Sequence, residues 1–139
     1  MLIAFLLPVA ATLTYGILLL IRRKDPLREP GTASAAAVDV VISCGVHFMI
    51  ALHVVMLAGV LTRSPVAGRS LVLLLVGLAL VVIGNVLPRT RPNLVVGIRT
   101  EQMLSNRALW IRTHRRLGYM AVGSGLLIML SLLAACSAD

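Results

Sequence analysis

The chain has 139 residues, of which 59% are hydrophobic and 13% charged. Soluble domains run nearer ~45–50% and ~25%, so a water-soluble globular enzyme is excluded. Intrinsic disorder is excluded too, because it requires low hydrophobicity. The net charge of +8 does not indicate nucleic acid, since only 4% of residues are aromatic and the basic residues sit between apolar runs, the positive-inside pattern of a membrane protein.

Four apolar runs follow in order, at about 1–21, 37–61, 71–87 and 117–136. Each approaches the ~20 residues a helix needs to cross ~30 Å of hydrocarbon. In lipid every backbone polar group must be paired internally, so these runs predict helices. The expected fold is all-α: one polytopic membrane domain over 1–139, with four transmembrane helices and a structured cytoplasmic loop between the third and fourth. The first run has no basic residues before it, and Arg22-Arg23-Lys24 follow it, so it reads as an uncleaved anchor rather than a signal peptide. Pro8 is expected to kink it mildly.

The charges set the expected orientation. Arg22, Arg23, Lys24 and Arg28 follow the first run. Arg89, Arg91, Arg99, Arg107, Arg112, Arg115 and Arg116 lie between the third run and the start of the fourth. Only Arg63 and Arg69 belong to the opposite side. Eleven against two places both large loops in the cytoplasm and both termini outside a bacterial cytoplasmic membrane. Cys44 then lies ~10 Å into the second helix, while Cys136 lies at the outer end of the fourth. That separation is beyond disulfide reach, so both are expected to be free.

Inside the second run, Asp39, Ser43 and His47 stand at i, i+4 and i+8 and form one stripe. Asp39 lies ~3 Å into the span and His47 ~15 Å, close to the midplane. An ionisable residue at that depth is a candidate functional group. His53 is about 120° around the helix from His47, and His114 lies at another depth, so no metal site is expected.

The stretch 84–118 is the most informative. Pro88 ends the third helix, Pro92 keeps the chain extended, and Gly97 permits a sharp turn. Ser105 is the expected N-cap of a helix running through Trp110 and His114 into the fourth span. Trp110, Thr113, His114 and Leu117 share one face of it. Asn85 and Asn93 are expected to bond loop backbone or the fourth helix. Arg99 is expected to stack on Trp110 or contact a phosphate. His114 is expected to respond to pH or donate to a ligand, and Glu101 to pair with a neighbouring arginine.

Gly84-Asn85-Val86-Leu87-Pro88-Arg89-Thr90-Arg91-Pro92-Asn93, then Gly97-Ile98-Arg99-Thr100, then Leu104-Ser105-Asn106 with Trp110 and Thr113-His114-Arg115 resemble the signature of the SdpI family of bacterial membrane proteins. Its founding member is an immunity protein against a secreted killing peptide and also a receptor that holds a repressor at the membrane. The chain departs from the family in reading Glu101-Gln102 where members often have Pro-Trp, and in having fewer predicted spans than the founding member. The resemblance implies a non-enzymatic protein that acts by binding, through Asn85, Pro88, Arg89, Arg91, Asn93, Gly97, Arg99, Ser105, Asn106, Trp110, Thr113 and His114. Expected partners are anionic lipid at the cytoplasmic face and a peptide toxin, a regulator or a larger membrane complex. No cofactor is expected. The alternatives are an accessory subunit of such a complex and an interfacial protein or enzyme acting on lipid headgroups. No phosphate loop, nucleophile elbow or carboxylate cluster supports catalysis.

Overall fold

A computed structural model describes residues 2–62 and 65–136. Four long helices, α1 (Leu2–Lys24), α2 (Ala33–Thr62), α3 (Pro65–Val86) and α5 (Arg107–Cys136), are joined on one side by two loops, the second of which carries the short helix α4 (Glu101–Ser105). All four long helices are long and apolar enough to cross a membrane, and no strand occurs among the described residues. α1 continues through Pro8, whose carbonyl accepts the Thr12 hydroxyl at 2.8 Å. α5 starts ten residues before the last apolar run, because the segment holding Trp110 and His114 is continuous with the span.

The helices form an open row rather than a closed bundle. α1 packs on α2, α2 on α3 and α3 on α5; among the described residues α1 meets neither α3 nor α5. The tightest contact is between α3 and α5. A Cβ added at Gly84 would lie 2.7 Å from the Gly118 carbonyl oxygen, and one at Gly125 would lie 2.5 Å from that of Gly77. Gly77 and Gly84 are seven residues apart, as are Gly118 and Gly125, so the two antiparallel helices meet along a heptad-spaced seam of bare backbone. Small residues permit such an approach where helices associate by van der Waals packing in lipid.

At the loop end, Val38, Ile42, Leu87 and Val96 form a buried cluster flanked by Leu18, Val41, Val95 and Leu117. Val95 and Val96 come from the loop, Leu18 from α1, and Leu117 from α5. The loop therefore fills one open face of the row and ties its two ends together. Cys44 is a free thiol. Arg63 and the side chain of Cys136 lie outside the described residues.

Candidate functional site

The site grows from the end of α3. Pro88 removes one backbone donor and turns the chain into a single 3-10 turn, Leu87–Arg89. The next residue, Thr90, closes the turn: its N–H and its hydroxyl both donate to the Leu87 carbonyl, at 3.1 and 2.7 Å. Thr90 is buried, and its carbonyl and Oγ1 in turn accept the Trp110 indole N–H at 3.1 and 3.4 Å. The Pro88 ring lies against Gly118, where a Cβ would come within 2.8 Å of it. The proline-broken end of α3 is thus clamped to the first turns of α5.

The following residues turn around Asn93, which is buried. Its Oδ1 accepts the N–H groups of Val95 and Val96 at 2.9 and 2.7 Å, and its Nδ2 donates to the Arg91 carbonyl at 2.8 Å. One side chain thereby pairs three backbone groups that no helix can pair. The loop is also held from the other side of the row. The Arg91 N–H donates to Ser34 Oγ at 2.8 Å, and the Leu94 N–H donates to Asp25 Oδ2 at 2.9 Å. The second oxygen of the buried Asp25 carboxylate accepts from Leu27 at 2.9 Å. An exposed ion pair of Arg91 with Glu29, at 2.6 Å, lies over this junction.

Gly97 supplies the sharpest bend, at φ +104°. A Cβ there would lie 2.1 Å from His114 Nε2, so both conformation and space require glycine. The bend brings the Ile98 N–H to His114 Nε2 at 3.1 Å, while His114 Nδ1 meets the Trp110 carbonyl at 2.9 Å. These partners settle the tautomer: Nδ1 carries the hydrogen and donates, and Nε2 accepts. Trp110 and His114 are both 0% exposed and stack with ring centroids 3.9 Å apart. The expectation of His114 as a pH-responsive or ligand-donating group is therefore corrected: both ring nitrogens are engaged inside the fold.

Other expectations need correction as well. Ser105 does not cap the last helix. It ends α4, with its hydroxyl donating back to the Glu101 carbonyl at 2.9 Å. The cap is the next residue, Asn106, whose Oδ1 accepts the Leu109 N–H at 3.0 Å. Thr100 caps α4 through the Met103 N–H. Glu101 stands in the first turn of α4 and makes no ion pair with a neighbouring arginine; the ion pairs among the described residues are Arg22–Asp39 and Arg91–Glu29. Arg99 donates to the Leu94 carbonyl, and the ring partner of Trp110 is His114. Asn85 is exposed on α3, and its side chain makes no hydrogen bond among the described residues. Thr113 is half-buried, and Arg89 projects outward.

On α2, Asp39, Ser43 and His47 line one groove between α2 and α3, together with Cys44, Phe48 and Leu78. This is the face turned away from Val38 and Ile42. Asp39 is paired with Arg22, which also donates to the Ala35 carbonyl. His47 Nδ1 meets the Ser43 carbonyl at 2.7 Å. The stripe and the loop thus occupy different faces, about 120° apart around α2, and do not form one site.

What the loop builds is a frame. Asn93, Gly97, Asn106, Trp110 and His114 are all engaged in fixing backbone. Residues 89–138 match the SdpI/YfhL protein family. The match starts at the last residue of the 3-10 turn and covers a little over a third of the chain. The matched segment holds the loop that follows the 3-10 turn and all of α5. No curated protein and no solved structure matches the chain. Asp25 and Ser34, which anchor the segment, lie outside the match and were not singled out in the sequence. The Asp25-Pro26 pair is a turn signal, but nothing in it shows that the carboxylate reaches residue 94.

Proposed function

We propose that the protein acts by binding, as a membrane immunity or signalling protein of the SdpI type, and is not an enzyme. One observation supports this above the others: the polar motif residues interlock into a rigid loop, and the groups left outside are guanidinium groups rather than a reacting set. Arg89, Arg99, Arg107, Arg112, Arg115 and Arg116 are exposed on this loop and the first turns of α5. Their planar, permanently charged forks suit carboxylates of a protein partner or phosphates of anionic lipid. In this reading the loop faces the cytoplasm of a bacterium, both termini lie outside, and the loop surface receives the regulator or toxin-linked partner.

A photo-reactive amino acid at position 99 or 107 of the full chain tests this in the source cell. A discrete protein adduct, lost when Arg112, Arg115 and Arg116 are changed to Gln, supports it. Adducts to lipid alone favour the headgroup-binding alternative. Recovery of one large, stoichiometric membrane complex favours the accessory-subunit alternative. For the immunity arm, a deletion strain grown beside its parent should be inhibited and be rescued by the wild-type chain. Equal growth of the two strains removes that arm.

A further inference from the structure

The α2 face roughly 130° around the helix from Val38 and Ile42 is covered by no other helix among the described residues. Val40, Ser43, His47, Ile50, Val54 and Leu57 run down it at alternating spacings of three and four, and all are exposed. That is the spacing of a coiled-coil seam. Two of its positions are polar, and His47 stands at the middle of the 30-residue helix. An imidazole facing hydrocarbon at that depth is costly unless its polar atoms are paired. Its Nδ1 is paired with the Ser43 carbonyl at 2.7 Å, which assigns the hydrogen to Nδ1 and leaves Nε2 as an acceptor. Nε2 and the Ser43 hydroxyl have no partner among the described residues.

We propose that this face is the interface of a two-fold dimer, and that its occupant is α2 of a second copy of this chain. The argument is self-complementarity. Two copies inserted with the same orientation are related by an axis along the membrane normal, so their α2 helices run parallel with like residues at like depths. Helical side chains lean toward the N-terminus, and the bond to the Ser43 carbonyl draws the His47 ring down to the level of Ser43. Each Ser43 hydroxyl then faces the partner's His47 Nε2. One donor and one acceptor per copy give two reciprocal hydrogen bonds, as an isologous contact requires. Interhelical bonds of this kind hold helices together where lipid supplies no hydrophobic drive. A polar residue within a seam also fixes register and partner number. The Arg22–Asp39 pair keeps the end of the face near the loops electrically neutral, so like charges do not oppose each other across the axis.

The test uses the full chain in proteoliposomes. Single-cysteine variants are made in a background of Cys44→Ala and Cys136→Ala and then oxidised. Val40→Cys, Ile50→Cys and Val54→Cys are expected to give disulfide-linked dimers, and Val41→Cys and Met49→Cys, on the opposite face, are expected to give none. Energy transfer between labelled wild-type chains should report dimers that dilute with lipid. His47→Leu should weaken them about three- to tenfold, and His47→Gln, which keeps a polar partner for Ser43, should weaken them less. A wild-type chain that stays monomeric at high protein-to-lipid ratio overturns the proposal. So does equal cross-linking on both faces, an unchanged dimer in His47→Leu, or protection of position 50 by lipid or a different protein while the chain stays monomeric.

Discussion

His114 and Gly97 are seventeen residues apart in sequence and depend on each other atom by atom. His114 Nε2 accepts the Ile98 N–H at 3.1 Å because Gly97 has no side chain to intervene. Gly97→Ala must distort a positive-φ turn and push the imidazole aside at once. It should cost about 3 kcal/mol, combining backbone strain with a lost buried hydrogen bond, and should lower the thermal midpoint in detergent. His114→Phe keeps the stack on Trp110 but leaves the Ile98 N–H unpaired, which should cost about 1–3 kcal/mol and speed amide exchange at Ile98. Unchanged protection at Ile98 would show that the ring nitrogen is dispensable. The sequence shows that Gly97 belongs to a turn and that Trp110 and His114 share a face. It does not show that the ring of His114 lies behind Gly97, because spacing alone does not orient a loop against a helix. The same holds for Ser105 and Asn106: either can cap a helix, and which one does depends on where α4 ends.

Among the elements, α3 and α5 form the most closely packed pair, because their backbones touch along a seam of four glycines. The sequence shows the two spans from their length and hydropathy. The seam is harder to read, since glycine in a span also occurs where nothing is near it. Gly123 is such a case: it lies on α5, two residues from Gly125, and a Cβ there would meet nothing within 4 Å. Gly84→Leu should force the helices apart and cost about 1–3 kcal/mol by overpacking, read as easier unfolding in a denaturing detergent. Gly123→Ala should be neutral or slightly stabilising, as a helix former replacing glycine. If the two variants behave alike, close backbone contact is not what holds this pair of helices.

The whole molecule is a row of helices closed on one face by a loop. Charge distribution predicts that the two loops share a side of the membrane, and the hydrogen bonds of Arg91 with Ser34 and Leu94 with Asp25 place them at one end of the row. Cysteine labels at Arg28 and Arg107 should react only from the cytoplasmic side, and a label at Arg63 only from outside. The opposite pattern would overturn the charge assignment. The row itself was not legible, because four apolar helices fit a closed bundle equally well. Val95 and Val96 pack between α1 and α5 at the loop end of that row, and two valines in a polar loop do not announce such a role.

The bond between Asp25 and the Leu94 amide spans sixty-nine residues of chain, and that separation has a consequence for biosynthesis. When α1, α2 and α3 have left the ribosome, the Leu27 amide can already hold one Asp25 oxygen, but the Leu94 and Arg91 amides that meet the other oxygen and Ser34 have not yet been made. Both side chains must wait in water at the membrane surface, beside a row that is open along its full length. Only when the loop follows does the carboxylate leave solvent and the open face close. A nascent chain stalled before residue 94 therefore leaves Asp25 Oδ2 without its amide donor and the Val38–Ile42 face without its loop cover.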